Sequence, residues 1–312
     1  MNKTPRATFL LAIGATIVTL LSSACATSGG GSAPQTIGAS GKITVVAVEN
    51  FWGSIAAQVG GDHVSVTSLI TNANADPHDY EATPSDAIAV ARANFVILNG
   101  VGYDPWMDSL LAADPSNGRI TLKVQDLLGL KTDDNPHRWY SPDDVMKVVD
   151  QLNADFKKLD PADAAALDRQ KADFVSNGLA QYTGLVQSIR QKYVGTQVGA
   201  TESIVVPLAT SLGLDLVSPP GFMQAVSEGS DPTSRDKQAF DTQIRQKQIA
   251  ILFYNTQNAT PDVQRLVDAA KAQGIQVVEV TETLVPSNAT FQDWQSRQLQ
   301  ALASALATAT GK

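Results

Sequence analysis

Residues 161–193 carry apolar side chains at helical spacing: Ala164, Leu167, Ala172, Leu179, Leu185 and Ile189. Asp160-Pro161-Ala162-Asp163 opens this stretch as an N-cap with proline in the first turn. A continuous helix of roughly 32 residues spans about 48 Å, enough to run from one lobe of a protein to another. Gly178 and Gly184 weaken its middle, so two shorter helices with a break near Gly178 are the competing expectation. On both sides of this stretch the chain alternates short apolar runs with helical patterns. Before it come predicted strands at 43–48, 64–70, 95–98 and 120–122, with helices at 51–59 and 84–92 and another around Trp106, Leu110 and Leu111. A further helix, 142–156, leads into the long one. After it come strands at 197–201, 214–217, 249–254 and 277–280, with helices at 204–212, 235–247, 261–272 and 291–307. Residues 218–232, rich in Pro, Gly and Ser, read as a long loop.

Alternation of this kind builds parallel sheets covered by helices. The expected fold class is therefore α/β: two α/β lobes with mainly parallel sheets, joined by one long rigid helix. The domain limits that follow are 43–158 for the first lobe, 159–194 for the linking helix and 195–312 for the second lobe. An apolar content of 43% over 312 residues supports cores of that size. The formal charge of −8 argues against nucleic acid as a partner.

The first 42 residues have a different character. Lys3 and Arg6 precede an apolar run, 9–21, that is too short to span a bilayer comfortably. Ser22-Ser23-Ala24-Cys25 then resembles a bacterial lipoprotein signal, in which residues 1–24 are removed and Cys25 carries the lipid. Ser22 departs from that pattern, which usually has a branched apolar residue there. An ordinary signal peptide with an incidental cysteine is the alternative. Cys25 is the only cysteine, so no intrachain disulfide exists. Residues 26–41 are rich in Gly, Ser, Ala and Thr and read as a flexible tether with a reach of roughly 20–24 Å. The first domain limits are thus 1–24 for the signal and 25–42 for the lipidated cysteine and its tether.

Only three histidines occur. His78, in Asp76-Pro77-His78-Asp79-Tyr80, follows the 64–70 strand and precedes a helix announced by Thr83-Pro84-Ser85-Asp86. Loops after the carboxyl ends of strands are where open α/β sheets place ligands. His137 stands in a similar setting, Asn135-Pro136-His137-Arg138-Trp139, again directly after proline. His63 reads as a surface turn residue, since nothing rigid or acidic frames it. Glu202, after Ala200-Thr201, and Glu282, after Val280-Thr281, occupy two further strand ends. With two such residues per lobe, all four can converge in a cleft between the lobes. Two imidazoles and two carboxylates suit Mn²⁺, Zn²⁺ or Fe²⁺. Histidine binds metal as the neutral imidazole, so affinity should fall as pH drops through about 6.5. Arg138, next to a candidate ligand, must point away or pair with an acid. Trp106, Trp139 and Tyr254 read as packing residues, and Tyr254-Asn255 as a segment that can line the cleft.

The chain resembles the zinc/manganese type of substrate-binding lipoprotein of ABC transporters, the TroA-like metal receptors, from about Ile43 to Leu306. The resemblance rests on Ala75-Asp76-Pro77-His78-Asp79-Tyr80-Glu81, Thr83-Pro84-Ser85-Asp86, Asn99-Gly100-Val101-Gly102-Tyr103-Asp104-Pro105-Trp106 and Asn135-Pro136-His137. Ala200-Thr201-Glu202, Ser218-Pro219-Pro220-Gly221-Phe222 and Val280-Thr281-Glu282-Thr283-Leu284 follow in the same order. It implies a metal site of His78, His137, Glu202 and Glu282, with Glu202 where manganese receptors have Glu and Glu282 where Asp is more frequent. It also implies an extracytoplasmic, lipid-anchored monomer that takes up one Mn²⁺ or Zn²⁺, with Fe²⁺ a further candidate. The partners implied are an ABC permease and its ATPase, the membrane being met through the anchor alone. Catalysis is not expected. A surface adhesion lipoprotein with a structural metal is one rival reading. A zinc metallohydrolase is another, though no His-Glu-x-x-His helix or nucleophile motif is present.

Overall fold

The computed structural model describes residues 41–72 and 80–312. Two four-stranded parallel sheets organise them. In the first, β1 (Ile43–Glu49) lies between β2 (Val64–Ile70) and β3 (Phe95–Leu98), and β4 (Ile120–Lys123) pairs with the far side of β3. In the second, β5 (Gln197–Ala200) lies between β6 (Asp215–Leu216) and β7 (Ile251–Asn255), and β8 (Gln276–Val280) pairs with β7. The order 2-1-3-4 is thus repeated as 6-5-7-8. In each sheet the strand order reverses beside the first strand, which opens a crevice at the carboxyl ends. Glu49 and Asn99 stand at the first crevice, Glu202 and Asn255 at the second.

Helices cover both faces of each sheet. In the first lobe these are α1 (Asn50–Gly60), α2 (Pro84–Arg92), α3 (Pro105–Ala113), α4 (Val124–Leu128) and α5 (Pro142–Leu159). The start of α2 follows from its sequence. The Thr83 side chain accepts from Asp86 N, Asp86 accepts from Thr83 N, and Pro84 occupies the first turn.

The linking helix follows a 3-10 turn at Pro161–Asp163. It runs as α6 (Ala164–Asp173), a π turn (Phe174–Gly178) and α7 (Ala180–Tyr193). Gly178 therefore marks a local widening, and the chain continues in helical form beyond it. Leu179 N donates to Phe174 O at 2.8 Å, and helical bonding resumes with Thr183 N on Leu179 O. A Cβ at residue 178 would lie 2.7 Å from the Phe174 ring, so glycine lets this ring pack against the turn.

The second lobe adds α8 (Val206–Leu212), α9 (Pro220–Ser227), α10 (Ser234–Arg245), α11 (Pro261–Ala272) and α12 (Phe291–Thr310). Helix α9 corrects the expectation of a loop over 218–232. Pro220 takes the first helical turn, where it costs nothing, and Phe222, Met223 and Val226 bury one face. Burial of that face outweighed the loop-like composition. The short α4 was not anticipated either.

The outer face of each sheet has its own apolar cluster, around Val48, Val96 and Met107 in one lobe and Phe222, Phe240 and Leu266 in the other. The inner faces share a single core. It passes from Val45, Phe51 and Phe95 through Trp139, Leu152 and Tyr182 to Val198, Phe253, Trp294 and Leu302. Trp139 stacks on Phe51 with ring centres 4.0 Å apart, and Tyr140 meets Trp294 edge-on at 5.9 Å. Each large apolar side chain buried here contributes roughly 1.5–3 kcal/mol. A core shared in this way resists wide separation of the lobes. No helix among the described residues is long and apolar enough to cross a membrane.

Candidate metal centre

His137 lies on the loop between α4 and α5, where Trp139 and Tyr140 anchor the backbone in the shared core. Asn135 sets its ring. The Asn135 amide nitrogen donates across the lobes to Ser203 O at 2.9 Å, so its oxygen faces the histidine. That oxygen accepts from His137 N at 2.9 Å and lies 3.0 Å from Nδ1. Nδ1 therefore donates to Asn135, and Nε2 faces the cleft, the atom through which a neutral imidazole would bind a metal. Nε2 is 3.4 Å from Glu282 Oε2. Arg138 turns away, and its Nε donates to Asp144 Oδ2 at 2.9 Å.

Glu202 follows β5 and Glu282 follows β8. Asn255, the last residue of β7, bridges them: its amide nitrogen donates to Glu202 Oε1 at 2.7 Å and to Glu282 Oε1 at 3.0 Å. Asn258 donates to Glu202 Oε2 at 3.1 Å, and Tyr103 Oη from the first lobe donates to Glu282 Oε2 at 3.0 Å. Gln257 accepts from the backbone amides of Glu282 and Thr283 and so fixes the loop after β8. These neutral amide and phenol donors hold both carboxylates in place without neutralising their charge.

His137, Glu202 and Glu282 are 1%, 2% and 7% exposed, and one donor atom from each lies within 4.8 Å of the others. Burial, followed by the charge of Glu282, pushes the Glu202 acid up to about 8, against the pull of His137 and Asn255. Two carboxylates this close in a dry site favour a shared proton, which a cation would displace.

These residues, with Ser227, Asn255, Gln257 and Asn258, line a chamber that leaves about 10 Å³ free for the centre of a water-sized sphere. That is room for an ion. A larger cavity of about 600 Å³ shares His137 and Ser227 with it and is bordered by Asp133, Asp134 and Glu228, with no lysine or arginine among the described residues of its wall.

Three of the four residues selected from the sequence therefore come together. His78 and Cys25 lie outside the described residues. His63 is corrected: an acid does frame it, with Nδ1 3.1 Å from Asp163 Oδ2. Asp160 completes a second group of donors there. Asp160 is already engaged as an N-cap, accepting from Asp163 N, so an ion pair and a cap account for this group. Sequence reasoning placed Asn255 in the cleft but missed the roles of Asn135, Tyr103, Gln257 and Asn258. Asn135 and Tyr103 stood inside quoted motifs, whereas Gln257 carried no signal.

The family model described as "Zinc-uptake complex component A periplasmic" matches residues 45–305. Among curated proteins, the chain is 27% identical to the manganese-binding lipoprotein MntA of Halalkalibacterium halodurans over 149 residues, covering 46% of this chain and 48% of that protein. It is 26% identical to the protein of the same name from Bacillus subtilis over 252 residues, 75% and 77% of the two chains. The first of these alignments spans about half the length of the relative. Among solved structures, a Mn-bound periplasmic metal binding protein from Candidatus Liberibacter asiaticus superposes with a TM-score of 0.70 at 19% identity, over 85% of this chain and all of that one. The periplasmic zinc binding protein TroA of Treponema pallidum gives 0.69 at 18% identity, over 85% and 99%. The two-lobed fold is common to them.

Proposed function

Because this chain belongs to the family of periplasmic zinc-uptake component A proteins, we propose that it is an extracytoplasmic receptor. It captures one divalent transition-metal ion between its lobes and delivers it to an ABC permease driven by an ATPase. No chemistry is done on the ion. The observation that carries this reading is the convergence of His137, Glu202 and Glu282 on an ion-sized chamber. His78 completes the ligand set, and Cys25 carries a lipid that anchors the monomeric receptor to the membrane.

The donor set bears on which ion is taken. Two carboxylates beside imidazole give a harder site than an all-histidine one and suit Mn²⁺ better, although intrinsic affinities rise from Mn²⁺ towards Cu²⁺. Selectivity then rests on geometry and on which metal is available. The core shared by the lobes limits capture to small movements, in which loops close over the ion and the sheets move little.

The test is elemental analysis of the chain from Ala26 onwards, purified without added metal, followed by competitive Mn²⁺ and Zn²⁺ titration of the wild type and His78→Ala. Near one equivalent of tightly held metal, lost in the variant, is expected. A wild type that holds no metal, with no thermal shift on adding either ion, would overturn the receptor reading.

A further inference from the structure

Glu49 ends β1 at the crevice of the first sheet. It is 0% exposed, and its carboxyl group meets the side chain of Asp104. The ionisable group that acts on it is Asp104, itself 1% exposed. Burial first, and then the charge of Asp104, push the Glu49 acid well above its ordinary range. Asp108, the next acid along, is neutralised by Lys123 at 2.8 Å. Two buried carboxyl groups with no cation between them hold one proton. The backbone decides which one keeps it. Asp104 accepts from Asn99 N and Gly100 N, both at 2.7 Å, and such bonds favour the anion. Glu49 is then the neutral acid.

Asp104 holds the base of an unusual turn. Gly100, Val101 and Gly102 follow one another with φ of 75°, 58° and 73°. A β-branched residue is strained in that region, so the turn needs its anchors. Two side chains leave it for the metal centre. Tyr103 Oη donates to Glu282 Oε2 at 3.0 Å, and Asn99 Nδ2 donates at 2.9 Å to Pro136 O, directly before His137.

We propose that Glu49, as a neutral acid facing Asp104, is a positioning residue for the metal centre. It donates its proton to the Asp104 carboxylate it meets. This fixes the 99–104 turn, which in turn sets Tyr103 against Glu282 and Asn99 against the His137 loop. The proposal rests on the receptor reading, and its failure is separable from failure of that reading because the wild type is the control for metal binding.

The experiment compares Mn²⁺ affinity and dissociation rate in wild type, Glu49→Gln and Glu49→Leu, alongside infrared difference spectra of the metal-loaded proteins at pH 7. Glutamine keeps a donor and should bind within about threefold of wild type. Leucine fills the space without a donor and should lose roughly 10- to 100-fold, mostly in the dissociation rate, as supporting residues of metal sites do. Metal-loaded wild type should show the carbonyl stretch of a buried neutral carboxylic acid, absent from Glu49→Gln. Equal affinities in a folded Glu49→Leu, or a wild-type spectrum without that band, would overturn the proposal. If Glu49→Leu does not fold, the band and the Glu49→Gln affinity decide it.

Discussion

Among the described residues, one imidazole and two carboxylates come together twice: at His137, Glu202 and Glu282, and at His63, Asp160 and Asp163. By residue type the two groups are near copies. They differ in what holds the acids. In the first, neutral amide and phenol side chains from both lobes donate to the carboxylates, and all three members are buried. In the second, Asp160 caps a helical turn, and His63 and Asp163 form a surface pair with side chains 25% and 52% exposed. Helix N-terminal amides also present positive charge to those acids, which opposes a cation. Donor chemistry is thus not enough to make a metal site. The acids must be held by neutral donors that leave their charge for a cation, in a place where water cannot compete.

The most direct way to break this comparison is to neutralise one acid in each group. Glu202→Gln should weaken Mn²⁺ or Zn²⁺ binding by at least about 100-fold, more than is typical for residues that only support ligands. Asp163→Asn should leave it within about twofold. Competition against a fluorescent chelator reads both values. Comparable losses, or a second equivalent of metal that disappears only in Asp163→Asn, would show the surface group to be a site as well.

The fold was legible in the sequence to an unequal degree. Strands such as Phe95–Leu98 and the capped helix at Pro84–Arg92 announce themselves, because burial on both faces and capping chemistry each leave a local mark. Helix α9 did not, because its proline and glycine are turn residues unless the face behind them is buried. The site shows the same division. Glu202 and Glu282 could be selected because they follow strands at sheet crevices. The amides that hold them belong to β7 and the loop after it, and only the 6-5-7-8 strand order brings that loop beside β5 and β8. The error at His63 has a similar source, since Asp163 is a hundred residues away along the chain.

A second test uses protons. In the metal-free protein, burial and Glu282 raise the Glu202 acid to about 8 from a reference of 4.5. The folded state therefore keeps a proton that the unfolded chain releases near its ordinary value. Stability from this group is fully present below that value and is lost as pH rises towards 8. From pH 5.5 to 8 the loss is at most about 3 kcal/mol, several degrees in thermal midpoint. Glu202→Gln should remove that slope, and bound metal should oppose it, since the ion takes the proton's place. Thermal midpoints at the two pH values in chelator-treated protein check this. A wild type and variant with parallel pH dependence would show that the two carboxylates are not the dry, coupled pair described above.

The smallest expected effect lies in the surface group. If His63 and Asp163 are an ion pair and nothing more, His63→Ala should cost about 0–1 kcal/mol. That cost should shrink as salt is raised, because exposed pairs are screened beyond the Debye length. Urea denaturation at low and high ionic strength, with chelator throughout, reads this directly. The decisive comparison adds Zn²⁺ to wild type and His63→Ala, both carrying Glu202→Gln so that the buried site is silent. Stabilisation of the His63 form alone would mean that the imidazole and the two aspartates recruit a cation despite their exposure. Burial would then set how tightly such a group binds its metal, and the capping geometry would no longer exclude a site.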